Sequence, residues 1–127
     1  MKKQHPSIKV SVIDLPTTIP YSFVNLLSEY PESGFLLPNE ISNSSDKNVD
    51  FVFYTNTQLE MIPSNSFDIA INTMSLAEMK REHILEYFDL LRGSLKTKNI
   101  FYCVNRWQNK LTKEDKELVP FRFIDWP

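Results

Sequence analysis

The chain has 127 residues, 42% of them hydrophobic, and a net charge of −2 from 14 basic and 16 acidic residues. That length supports a single domain, 1–127, able to bury roughly two-thirds of its unfolded surface. The near-neutral balance gives no electrostatic reason to expect nucleic acid or an acidic membrane surface as a partner.

No apolar run of about 18 residues occurs, and Met1 to Pro6 has no apolar signal core behind its two lysines, so no membrane association is expected. The single cysteine, Cys103, has no internal disulfide partner and sits in an apolar run. A small core residue in a reducing, cytoplasmic setting is the expectation. Gly34 and Gly93 are the only glycines, where average usage would give roughly nine. A loop that cradles phosphates normally needs several glycines, because the backbone must approach the ligand closely.

In chain order, Ile8 to Ile13 reads as a first strand, ended by Leu15 and Pro16. His5, before it, falls in a loose terminus. Thr17 or Thr18 caps a helix in which Tyr21, Val24, Leu27 and Tyr30 share one apolar face before Pro31. Gly34 breaks the chain, and the Asn- and Ser-rich stretch 39–48 reads as a surface loop. Val49 to Tyr54 is a second strand. Phe67 to Asn72 is a third, driven into the core, with Phe67, Ile69 and Ile71 alternating with Asp68, Ala70 and Asn72.

Ile84, Tyr87, Phe88, Leu91 and Leu95 repeat at helical spacing and place an amphipathic helix over about 81–95. Asn99 to Val104 is a fourth strand and Phe121 to Trp126 a fifth, with a short charged helix over 110–118 between them. Strands alternating with helices predict an α/β domain with a mainly parallel sheet. In such sheets ligands lie beyond the carboxyl ends of the strands, which singles out Asp14, 54–56, 72–75 and 105–107.

Each of these positions carries two readings. Asp14 can accept hydrogen bonds from the two hydroxyls of an adenosine ribose, or serve as an anion or turn residue ahead of the next helix. Ser75 and Glu78 form a Ser-x-x-Glu capping box or a catalytic pair. Asn72 is outside that box; its amide offers donors and an acceptor at the strand tip. Asn105 and Arg106 end the fourth strand, where a guanidinium can hold a carboxylate or phosphate, or pair with a surface acid. His5 and His83 have no partner at metal-ligand spacing, so no metal site is expected.

The segments IKVSVIDLP, SFDIAINTMSLAEM, HILEYFDLLRGSLKTKNIFYCVNR and FRFIDWP together resemble the Rossmann-like S-adenosylmethionine-dependent methyltransferases, most closely the sugar O-methyltransferase group. The likeness runs from about Ser7 to Pro127, leaving the Asn/Ser-rich loop unmatched. It implies S-adenosylmethionine as cofactor and a sugar-like hydroxyl acceptor. Asp14 would be the ribose-binding acid, and Asn72 and Thr73 would line the methionine end. Ser75, Asn105 and Arg106 would face the acceptor, with Glu78 as the catalytic base.

The resemblance also implies a departure. The family's first strand and its glycine-rich loop, which lie at the sheet centre, have no counterpart here, so the domain is partial and cofactor affinity should be poor. The Lys-Pro-Gly-Gly turn before the family's fifth strand is replaced by LKTKN. The strands at 8–13 and 67–72 must then pair directly, take a strand from another chain as in a homo-oligomer, or belong to a longer protein with an N-terminal segment missing here. Two alternatives stand beside the enzyme reading. One is a non-catalytic interaction module that completes a partner's sheet. The other is an NAD-type dinucleotide domain, against which the lack of G-x-G-x-x-G counts.

Overall fold

The computed structural model describes residues 2–41, 49–76 and 79–105. Two compact units, Met1–Ile62 and Pro63–Pro127, make up the chain. Every strand ladder among the described residues is parallel, so the architecture is α/β. The described strands form one sheet of three and one of two. Glu78, Arg106, the charged stretch 110–118 and the strand expected at 121–126 lie outside the described residues.

The first unit contains β1 (Val10–Asp14), α1 (Ile19–Glu29), β2 (Phe35–Leu36) and β3 (Phe51–Thr55), followed by a 3₁₀ turn at Leu59–Met61. The strand order is β1-β3-β2. Val10 stands opposite Phe51 and Val12 opposite Phe53, with Phe35 on the other side of Phe51. Period-two alternation therefore puts these side chains on one face. Phe51 and Phe53 are buried there with Ile19 of α1, and Phe23, Leu26 and Tyr30 pack against them. Removing each Phe from water stabilises the unit by about 1.5–3 kcal/mol. The rings of Phe35 and Phe51 stack at 5.0 Å, and Phe23 meets Phe35 edge-on at 5.4 Å.

Two expectations change here. The inward stripe of α1 is Ile19, Phe23, Leu26 and Tyr30, whereas Tyr21 and Val24 are 74% and 60% exposed and Leu27 is exposed as well. Both stripes have helical spacing; ring packing on Phe35 and Phe53 decides between them. The short β2 lies where only a break at Gly34 is expected. It forms because the Gly34 carbonyl accepts the N–H groups of Asp50 and Phe51, bringing Phe35 into register with Phe51.

The terminus expected to be loose is tied down instead. Lys2 is 8% exposed, and its Nζ donates to the carbonyls of Pro6 (2.9 Å) and Ile8 (2.5 Å) and to Asp50 Oδ1 (2.8 Å). Asp50 Oδ2 accepts the Gly34 N–H at 3.1 Å, and the Asp50 carbonyl accepts the Val10 N–H at 2.8 Å. Lys3 pairs with Glu29 at the surface. A buried ammonium is tolerated because all three of its hydrogens have acceptors.

The described residues of the second unit form a βαβ element of β4 (Phe67–Thr73), α2 (Arg81–Ser94) and β5 (Leu95–Val104). Ile84 and Ser94 of α2 are buried, with Tyr87, Phe88 and Leu91 half-buried, matching the expected stripe. Phe88 meets Phe101 edge-on at 5.8 Å. That contact sets α2 against the face of β5 carrying Phe101 and Cys103. The other face carries Ile69, Ile71, Ile100 and Tyr102, each at least half exposed. The isoleucines of β4 expected to enter the core thus face outward, and Ala70 and Asn72 take the more buried positions.

β5 begins directly at the end of α2, and LKTKN is part of it. Between the pairs Phe67↔Leu95 and Ile69↔Ile100, β4 advances two residues while β5 advances five. Lys98 absorbs the excess with φ 64°, and Asn99 Nδ2 braces the bulge by donating to the Lys96 carbonyl. A side chain with a Cβ is disfavoured there by about 1–2 kcal/mol. Asn65, also at positive φ, belongs to a residue type that tolerates it.

Two predictions follow from these contacts. Lys2 first, then the Gly34 N–H, holds the Asp50 carboxyl below its ordinary value of 3.8. Its folded pKa is below its unfolded one, so its contribution is complete above that ordinary value and is lost as pH falls through the folded value. Asp50→Ala should cost about 1.5–3 kcal/mol at neutral pH and flatten the acid limb of a urea-denaturation series between pH 2 and 5; an unchanged acid limb would show the pair to be absent in solution. Lys98→Gly should raise the melting temperature by a few degrees, the relieved strain exceeding the roughly 0.5–1 kcal/mol that glycine costs in chain entropy. A lower melting temperature would contradict the left-handed backbone at Lys98.

Candidate functional site

Among the described residues, Asp14 and the stretch 54–56 lie at the carboxyl ends of β1 and β3 in the first unit, and Asn72, Thr73, Ser75 and Asn105 lie at or just beyond those of β4 and β5 in the second. Each tip is built separately.

In the first unit Asp14 is the last residue of β1, paired with Thr55 at the end of β3. The ladder continues one step, the Asn56 N–H donating to the Asp14 carbonyl at 3.1 Å. Asp14 Oδ1 accepts the N–H of Leu15 at 2.8 Å, which fixes the half-buried carboxylate at the turn. Its second oxygen receives no hydrogen bond from the described residues. Beside it, Gln58 Oε1 accepts the Thr55 N–H at 3.0 Å and lies 3.1 Å from the Thr55 hydroxyl, while Gln58 Nε2 donates to the Pro38 carbonyl at 2.9 Å. The Thr55 and Thr57 hydroxyls are 2.9 Å apart. Thr57 and Gln58 lie outside the stretches singled out by sequence; a run of Thr, Asn, Thr and Gln directly after an apolar strand was the available signal. Tyr54, one residue back in β3, is buried, and burial pushes its phenol above the ordinary value of 10.0.

In the second unit the tips of β4 and β5 carry a connected row. Asn72 Nδ2 donates to Ser75 Oγ at 2.5 Å, and Asn105 Nδ2 donates to Asn72 Oδ1 at 2.7 Å and lies 3.0 Å from Cys103 Sγ. Three of the sequence-predicted residues, Asn72, Ser75 and Asn105, are thus joined directly. The register places them: Asn72 is opposite Cys103 and Thr73 opposite Val104, so Asn105 emerges on the same side as Asn72 and Cys103. Thr73 is exposed and on the other face.

The capping reading of Ser75 changes. α2 begins at Arg81 with Lys80 as its N-cap, without a side-chain cap bond, so Ser75 does not cap it, and Ser75 Oγ accepts the Asn72 amide. The Glu78 and Arg106 assignments fall outside the described residues. Met74, between Asn72 and Ser75, has φ 69° and donates its N–H to the Val104 carbonyl at 2.7 Å. No sequence signal marks it, because a methionine in the left-handed region is dictated by its surroundings.

Chemically, the β4–β5 tip supplies amide and hydroxyl donors and acceptors without a charge among its described residues, while the β1–β3 tip supplies one carboxylate. His83 Nδ1 lies 3.2 Å from Glu86 on the exposed side of α2, and no group of three potential metal ligands occurs among the described residues. Comparison with family models, with curated proteins and with solved structures finds no match.

Proposed function

We propose that the chain is an S-adenosylmethionine-dependent methyltransferase domain of the Rossmann-like type, directed at a hydroxyl of a sugar-like acceptor. The observation that carries this reading is the joined row of Asn72, Ser75 and Asn105 at the carboxyl ends of two parallel strands of the second unit. In the first unit the Asp14 carboxylate suits a ribose hydroxyl; in the second, Asn72 suits the polar methionine end, whereas Thr73 lies on the opposite face of β4 from Asn72. When bound, the cofactor supplies an electrophilic methyl group. The residues of this chain contribute alignment of the acceptor oxygen, through Ser75, Asn105 and Arg106, and removal of its proton, through Glu78. A lone thiol and a net charge of −2 suit a cytoplasmic protein working on a small molecule. No helix among the described residues is long and apolar enough to cross a membrane.

A second reading is favoured by one observation. The exposed apolar face of Ile69, Ile71, Ile100 and Tyr102 suits an interaction module that acts by association, including with a second copy of itself.

Thermal denaturation with S-adenosylhomocysteine separates the two, because a ligand selective for the folded state must raise its melting temperature, by the equivalent of about 2.7 kcal/mol at a hundred times its Kd. A rise is expected at millimolar ligand. Asp14→Ala should weaken binding in calorimetry by about tenfold or more, the worth of a hydrogen bond to a charged group. A folded chain with an unmoved melting temperature and a concentration-dependent size in solution would replace the enzyme reading with the interaction module.

A further inference from the structure

We infer that Met74 is a positioning residue, whose left-handed backbone turns the chain beyond β4 so that Asn72 and Ser75 together present two hydrogens to one acceptor oxygen of the ligand. The inference rests on the cofactor reading above and departs from it at one residue: Ser75, given there to the acceptor, joins Asn72 in holding the cofactor.

At φ 69° Met74 occupies a region that residues with a Cβ rarely enter. Glycine, which would enter it freely, is not used. The conformation is held from one side by the Met74 N–H bond to the Val104 carbonyl at 2.7 Å, next to the Thr73↔Val104 pair that ends the ladder. From the other side it is held by Asn72 Nδ2 reaching Ser75 Oγ at 2.5 Å. A strained residue persists only where its surroundings over-determine it, and such residues concentrate at ligand sites. The strain here has a visible product. Asn72 Oδ1 is occupied by Asn105 at 2.7 Å, so the orientation of the Asn72 amide is set. Its second amide hydrogen and the hydrogen of the Ser75 hydroxyl have no acceptor among the described residues. Met74 and Ser75 are both exposed, so a ligand can reach them. Two donors one tight turn apart match an oxygen with several lone pairs, such as a carboxylate.

The test uses the full chain, with S-adenosylhomocysteine as the probe, in three substitutions at Met74 and one at Ser75. Met74→Gly and Met74→Leu leave the left-handed turn accessible, and both should keep the ligand-induced rise in melting temperature. Met74→Ile places a β-branched residue where it is a genuine outlier, and should weaken binding about tenfold, the worth of a charge-assisted hydrogen bond. Ser75→Ala removes one donor without touching the turn and should cost a similar factor; if Met74→Ile does not fold, this variant decides. Wild-type affinity in both Met74→Ile and Ser75→Ala would overturn the role of Met74 while leaving the cofactor reading in place. No response of the wild-type chain would overturn both.

Discussion

In the first unit the strands depend on one carboxylate. Asp50 holds the Lys2 ammonium with one oxygen and the Gly34 N–H with the other, while its own backbone groups bond to Gly34 and Val10. Four pieces of chain distant in sequence thus meet at one residue: the terminus, the start of β1, the turn into β2 and the start of β3. Each oxygen is matched to a donor, and each Lys2 hydrogen to an acceptor, which is the condition under which a buried ion helps rather than harms. The aromatic stack of Phe35 on Phe51 lies directly beyond this junction, and its register is the one that the junction sets.

The second unit is organised differently. No buried ion pair appears among its described residues; its order comes from α2 pressing Phe88 onto Phe101 and from a ladder that tolerates a bulge at Lys98. One face of the two strands is therefore packed and polar at its tip, and the other is apolar and exposed. The polar tip and the apolar face are consequences of the same register, because alternate residues of β4 and β5 must point to opposite sides. A shift by one position would turn Asn72 and Asn105 away from the helix face and bring Ile71 and Val104 in. The amide row and the exposed patch therefore cannot be separated.

The candidate residues legible in the sequence are those whose type and place agree: a carboxylate or amide directly after an apolar run, in a chain of alternating strands and helices. Asn72, Ser75 and Asn105 were legible for that reason, as was Asp14. What escaped were residues defined by backbone or partner rather than by type. Met74 reads as one more apolar side chain, Gln58 as a loop residue, and Lys2 as part of a charged terminus. Ser75 carries two readings in the sequence, a helix cap and a ligand-facing hydroxyl, and it does not cap α2, which begins only at Arg81.

By itself the sequence determined β1, α1, β3, β4, α2 and β5 in their order, the parallel character of the described ladders and the inward stripe of α2, because these follow from local periodicity and from turn residues that act over a few positions. Tertiary structure alone decided which stripe of α1 enters the core, since Ile19, Phe23 and Leu26 and the competing Tyr21, Val24 and Leu27 both satisfy helical spacing. It also decided that Ile69 and Ile71 face outward and that Phe35 forms a strand. The physical reason is the same throughout: periodicity shows that a face exists, while only long-range contacts, here the Phe23 ring on Phe35 and Phe53 and the Asp50 carboxylate on Lys2 and Gly34, select the face that is buried.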